Sequence, residues 1–131
     1  MDIAQRACRE VEELHAFFGQ WYTASAPVQL ERVSSVLAPE FELLSPVGEL
    51  LTRQRLLSEL AAEQGAYPDL AISVEGLNAV PSANGNVTVR YTEVHVEGGA
   101  CERRRCCALL RPSPKACNGL AWVAIDERHD V

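Results

Sequence analysis

The side chains with the clearest chemical potential lie late in the chain: Glu93, Arg105 and Glu127, with His95 and His129 two residues beyond the two carboxylates. Two carboxylates beside one guanidinium in a partly dry cavity split their proton affinities, and the one with the higher affinity can serve as a general base. Glu93 and Glu127 are therefore the candidate catalytic residues. The same charges also suit non-catalytic contact with a ligand, or a charge-balanced network that holds strands in register. The histidines could carry protons for these acids. However, His95 lies close to a turn and His129 close to the last residue, so both are expected to be exposed. His15 is expected at the surface or at a boundary. No metal-ligand spacing, glycine-rich phosphate loop or nucleophile elbow is present in the sequence. Neither a metal nor a cofactor is expected.

What must position these residues is a sheet. From Asn86 to Val96 the chain alternates, with Val87, Val89 and Tyr91 on one side and Thr88, Arg90 and Thr92 on the other. Period-two alternation marks a strand with a different environment on each face. Continued, the first face turns polar at Glu93 and His95, as suits a strand packed into a core at one end and lining a cavity at the other. Matching phases on the two following strands place Arg103, Arg105, Cys107 and Leu109, then Val123, Ile125, Glu127 and His129, toward that cavity. The opposite face then carries Arg90, Thr92, Arg104, Cys106, Trp122 and Asp126. A slip of one residue exchanges the faces.

The remaining elements follow from patterning. Ile3, Ala7, Val11, Leu14, Phe18 and Trp21 recur at helical spacing and predict one long first helix ending before Pro27. Glu10, Glu12 and Glu13 lie off that stripe and are expected in solvent. A second helix fits Val28 to Leu37, ended by Pro39. Phe41 to Leu44 reads as a strand, Ser45 to Gly48 as a turn, and Thr52 as the cap of a third helix reaching toward Gly65. Four strands follow: Leu70 to Val80, Val87 to Val96, Cys101 to Arg111, and Leu120 to His129. The expectation is a single domain over 1–131. Its class is α+β, with three N-terminal helices on a strongly curved, mainly antiparallel sheet that forms a cone. Phe18, Trp21, Tyr22, Phe41 and Tyr91 would wall a ligand cavity, with Glu93, Arg105, Cys107 and Glu127 at its polar end. The aromatic residues would serve equally as core filler.

Composition narrows the function classes. The 131 residues are 47% apolar and 23% charged, and the net charge of −6 argues against a phosphate-backbone partner. No apolar run approaches the roughly 20 residues that span a bilayer, and the first ten positions lack a signal-peptide core. A cytoplasmic protein is expected. Five cysteines without a C-x-x-C pattern suggest reduced, buried thiols.

Three stretches carry a resemblance: Phe41-Glu-Leu-Leu-Ser-Pro-Val-Gly48 with the Arg53 to Leu60 helix, Val89-Arg-Tyr-Thr-Glu93, and the tail. The tail is Arg105-Cys-Cys-Ala-Leu-Leu-Arg111, a loop, and Gly119-Leu-Ala-Trp-Val-Ala-Ile-Asp-Glu127. Together they resemble the nuclear-transport-factor-2-like (SnoaL-like, cystatin-like) superfamily, which includes polyketide cyclases, ketosteroid isomerases and a kinase association domain. The tail is most similar to small uncharacterised bacterial members ending Trp-x-His-x-His-Glu-Thr-Trp. Here Ala124 and Asp126 replace the two histidines, Glu127 is kept, and Arg128-His129 replaces Thr-Trp. Ser25-Ala26-Pro27 replaces a Gly-Asp after the first helix. The resemblance implies a cavity between the concave sheet face and the helices, and a homodimer through the convex face. The function it supports is binding of a small apolar or weakly acidic molecule. One alternative is an isomerase, cyclase or dehydratase with Glu93 or Glu127 as base and Arg105 or Tyr22 steadying an enolate. Another is a dimeric assembly module whose cone is filled by Leu56, Phe41 and Ile125.

Overall fold

The computed structural model describes residues 1–24 and 29–130. The expected helix stop at Pro27, the Ser25-Ala26-Pro27 replacement and the start of the second helix at Val28 lie outside the described residues. Helix α1 (Ile3–Thr23) opens with a capping box, in which the Asp2 side chain accepts from the Gln5 N–H at 2.8 Å and Gln5 accepts from the Asp2 N–H at 2.9 Å. Helix α2 is a single turn (Glu31–Ser34). Strand β1 (Leu37–Leu44) and the short β2 (Leu50–Thr52) form a hairpin, with Gly48 at φ 82° in its turn. Helix α3 (Arg53–Ala62) is capped by the Thr52 hydroxyl, which accepts from the Arg55 N–H at 3.2 Å. Strands β3 (Ala71–Pro81), β4 (Val87–Glu97), β5 (Ala100–Pro112) and β6 (Leu120–His129) complete the chain.

All six strands form one curved mixed sheet in the order β2-β1-β6-β5-β4-β3, antiparallel except for the parallel β1–β6 pair. The α+β class and the four closing strands match the expectation from the sequence. Two differences stand out. The chain turns extended at Leu37, so Pro39 lies within β1 instead of ending a helix. The Trp122 N–H donates to the Val36 carbonyl at 2.7 Å and draws this segment onto β6. The β1–β6 register shifts between Leu37 and Glu42, and a proline is tolerated at such an interruption because it has no ladder hydrogen bond to give there. Strand β2 is new, three residues being too few for a periodicity to show.

Curvature comes from bulges, each of which adds one residue to a strand and bends it. The β3–β4 register shifts between Glu75 and Asn78, where Gly76 takes φ 68°, and the β5–β6 register shifts between Leu109 and Leu110. The second shift leaves Val123 as the extra residue and turns Trp122 to the concave side, where it is fully buried. Trp122 was expected on the convex face. Alternation cannot be carried through a bulge.

Among the charged side chains buried between α1 and the sheet, Glu10 lies deepest. Glu10, expected in solvent, has no exposed surface. Its carboxylate accepts from both terminal nitrogens of Arg32 at 3.2 and 2.9 Å, from the Trp122 indole N–H at 2.8 Å and from the Asn118 amide at 2.8 Å. With the Cys117 thiol at 3.6 Å, five donors on two oxygens compensate the lost hydration, the condition on which a buried charge is tolerated. Among the described residues no helix is long and apolar enough to cross a membrane. Glu10→Ala strands the Arg32 guanidinium and the indole N–H without an acceptor. Urea denaturation is expected to show a loss of about 3 kcal/mol, and Glu10→Gln, which keeps one acceptor oxygen, a smaller loss.

Candidate functional site

A cavity of about 200 Å³ lies between the concave sheet face and the helices. Its walls are apolar: Phe18 from α1, Phe41 and Leu43 from β1, Leu56 and Leu60 from α3, and Ile125 from β6. Phe41, Leu56 and Ile125 line this space without closing it. At one end stand the ionisable groups His15, Glu93, His95, Arg104 and Glu127.

Strand register explains which residues arrive there. Tyr91, Glu93 and His95 face inward on β4, as the alternation predicts. Their β5 partners are Cys106, Arg104 and Glu102, and the β6 partners of Cys106 and Arg104 are Glu127 and His129. Directly paired residues share a face. Arg104 and Cys106 are therefore the inward residues, and Arg105 and Cys107, expected in the cavity, lie on the convex side. Arg105 has 67% of its side chain exposed. The error was one residue, and its cause is the Gly98-Gly99 turn. This two-residue connection pairs Glu97 with Ala100, so an odd-numbered residue on β4 always meets an even-numbered one on β5. Glu127, Ile125 and His129 keep the expected phase, and His129 is exposed as expected. Among the thiols, Cys106 is buried, whereas Cys101 and Cys117 are exposed; all five are free.

Of the aromatic residues singled out, Phe18, Tyr22, Phe41 and Tyr91 line the cavity and Trp21 does not. Its indole N–H donates to the Leu60 carbonyl at 2.7 Å and its ring stacks on Phe17 at 5.8 Å, so it fastens α1 to α3. Tyr67 meets the Tyr22 ring edge-on at 5.6 Å beside the cavity opening.

His15 is the residue most clearly missed. It is 3% exposed, its ring lying edge-on to Tyr91 at 5.3 Å and to Phe18 at 5.7 Å. The sequence carries a signal for it, because His15 and Tyr22 follow two members of the apolar stripe, Val11 and Phe18, by one helical turn each. Nδ1 of His15 is 2.8 Å from the Val11 carbonyl and Nε2 is 2.8 Å from Oε2 of Glu93. A carbonyl and a carboxylate only accept, so both ring nitrogens carry protons and the pair is an imidazolium with a carboxylate. Burial pushes His15 toward its neutral form, but the hydrogen bond and charge of Glu93, the Val11 carbonyl and the charge of Glu127 together outweigh this and raise its pKa. Glu93 is likewise pushed up by burial. Hydrogen bonds from His15 and His95 outweigh that and hold it well below the usual carboxylate range. His95, expected to be exposed, is half-buried on Glu93 Oε1.

Glu127 behaves in the opposite way. Burial, and then the charge of Glu93, push it up to about 7 against the pull of Arg104, whose Nη1 is 3.4 Å away. Arg104 is shared, since Glu102 accepts from its Nε at 2.7 Å. Glu93 and Glu127 are thus shifted in opposite directions, and the arginine beside them is Arg104, not the expected Arg105. The donor atoms of Glu93, Glu127 and Cys106 lie within 4.8 Å of one another. Burial pushes the Cys106 thiol far above its ordinary value, which disfavours the thiolate a metal requires.

No protein-family model and no curated protein sequence matches the chain. Solved structures do. A nuclear-transport-factor-2-like protein of unknown function from Pseudomonas aeruginosa aligns with TM-score 0.87 and 20% identity, over 96% of this chain and 99% of that one. The CaMKII hub of S. rosetta gives 0.80 at 9% identity, over 99% and 98%. Nuclear transport factor 2 from Cryptosporidium parvum gives 0.73 at 13% identity, over 96% and 93%. The fold is the nuclear-transport-factor-2-like, or cystatin-like, α+β cone.

The raised Glu127 has a consequence for stability. Its folded-state pKa of about 7 lies above its ordinary value of 4.5, so the folded protein holds a proton that the unfolded chain releases. Stability therefore declines as pH rises through that window and is unaffected below it. Glu127→Gln removes the penalty. The variant is expected to be more stable than the parent at pH 8, by up to about 3 kcal/mol, and equal to it at pH 4, as read by urea denaturation at both values.

Proposed function

We propose that this chain, a nuclear-transport-factor-2-like cone, binds a small, largely apolar molecule in the cavity between sheet and helices. The observation that carries this reading is the space of about 200 Å³ with mainly apolar walls and a cluster of ionisable groups, His15, Glu93, His95, Arg104 and Glu127, among its lining. An apolar cavity of about 150 Å³ admits benzene, so the space suits a body of one or two rings. A few convergent polar groups in a mainly apolar cleft are the usual make-up of a ligand site. Binding is favoured over turnover by the state of the groups that would have to act. Glu127 has the proton affinity of a general base, but Arg104 is already engaged by Glu102, and Arg105 lies on the far side of the sheet. Of the two groups expected to steady an enolate, Arg105 is thus outside the cavity and only Tyr22 lines it, while the inward Arg104 is already shared.

Leu56→Trp places an indole in the cavity from α3. In isothermal titration with one- and two-ring aromatic compounds, this variant is expected to lose at least about tenfold in affinity. Unchanged affinity in Leu56→Trp would place the ligand elsewhere and end the cavity reading.

The convex face supports the proposal of a homodimer. Arg90, Arg105 and Arg128 stand on it beside Asp126 and Glu42, next to an apolar strip of Leu44, Leu50 and Leu109. A second copy related by a two-fold axis can set its acids against these arginines and its strip against the strip. Multi-angle light scattering is expected to give the mass of two chains, and of one chain for Leu44→Glu. A wild-type protein with the mass of one chain at micromolar concentration would refute the dimer.

A further inference from the structure

The cavity's hydrogen-bonding groups are unevenly spent. On the donor side, both ring nitrogens of His15 are used, by Val11 and Glu93, and Nε2 of His95 is engaged by Glu93. Arg104 is divided between Glu102 and Glu127. On the acceptor side there is a surplus. Among the described residues, Glu127 receives only the long 3.4 Å bond from Arg104, made to Oε1, and Oε2 has no protein donor. Glu63, on the α3 wall, has no cation within ion-pair distance among the described residues, and neither does Glu97 at the adjoining opening.

A separate observation points to a missing ligand group. The Tyr91 hydroxyl is buried at this same end, with the residue only 4% exposed; the Cys106 thiol beside it donates to the Arg104 carbonyl, and no nitrogen or oxygen of the described residues partners the hydroxyl. Tyr91 sits in one cross-strand row with Cys106 and Glu127, all on the concave face. A buried hydroxyl without a partner is costly unless something else supplies the bond.

We propose that the cavity's ligand is an organic cation, an ammonium or amidinium on a flat apolar body, with its N–H groups on Glu127 Oε2 and the Tyr91 hydroxyl oxygen. This deepens the binding reading above and rests on it. A cation brings N–H donors to these two acceptors, and it offsets the repulsion between Glu93 and Glu127. The walls suit it too. The rings of Phe18 and Tyr22, with centroids 6.3 Å apart, can present π faces to the charge or to an attached ring. An anion finds the reverse, an arginine already neutralised and carboxylates along its path. A metal ion is disfavoured at the same three donors, because the Cys106 thiol resists deprotonation and His15 and Arg104 stand beside it as cations.

The test is isothermal titration at pH 8, above the Glu127 value of about 7, with three probes of one shape: 2-phenylethylammonium, 2-phenylethanol and phenylacetate. The ammonium is expected to bind at least about tenfold tighter than the alcohol, and phenylacetate most weakly. Glu127→Gln is expected to remove that advantage, bringing the ammonium's affinity down to that of the alcohol. Glu63→Gln, at the wall, is expected to give a smaller loss for the ammonium alone. Alcohol or phenylacetate binding as tightly as the ammonium would overturn the cation proposal and leave the binding reading intact. No heat from any of the three at millimolar concentration would overturn both.

Discussion

The buried carboxylate of Glu10 fixes the placement on which the rest of the molecule depends. Five hydrogen bonds converge on it from α2, β6 and the loop before β6, and a carboxylate with no exposed surface cannot give them up cheaply. They determine how far α1 is rotated about its own axis over the concave sheet. With that rotation set, the helical repeat brings His15, Phe18 and Tyr22 over the cavity one turn after another. Were Glu10 in solvent, as its place off the apolar stripe suggests, α1 would present a different row of side chains to the sheet.

The second constraint is electrostatic. Two carboxylates are held close together in a space that excludes most water, and the surrounding protein treats them differently. Glu93 receives two imidazoles and remains a low-pKa anion, while Glu127 receives a long contact from an already shared guanidinium and titrates near neutrality. The difference arises because α1 carries a histidine opposite β4, whereas among the described residues no comparable donor from the helices reaches Glu127. The polar end of the cavity therefore has one settled pair and one group whose state still depends on what enters.

Much of the fold was legible in the chain. The apolar stripe from Ile3 to Trp21 and the turn residues around the last four strands describe α1 and β3 to β6 to within a residue or so at each end. The inward row Tyr91, Glu93 and His95 was read correctly because nothing interrupts β4. The site was less legible. Arg105 and Cys107 were placed inside although a two-residue Gly98-Gly99 turn forces Arg104 and Cys106 inward. Trp122 was placed outside because a bulge at Val123 leaves no mark in the alternation. His15 was read as a boundary residue because a polar side chain beside an apolar stripe resembles the edge of the stripe, and its partner is 78 positions away.

The sequence by itself determined the class of fold, the order of the elements and the side of β4 that faces the core. These follow from local periodicity, capping and turn chemistry, which act over a few residues. Tertiary structure alone decided that Glu10 is a buried anchor, that Glu93 is claimed by His15 and His95, and that Glu127 stands poorly compensated beside them. Each of these depends on which groups meet across the cavity and how much water is left between them. Desolvation and charge proximity are properties of three-dimensional neighbourhoods, and no spacing along the chain encodes them.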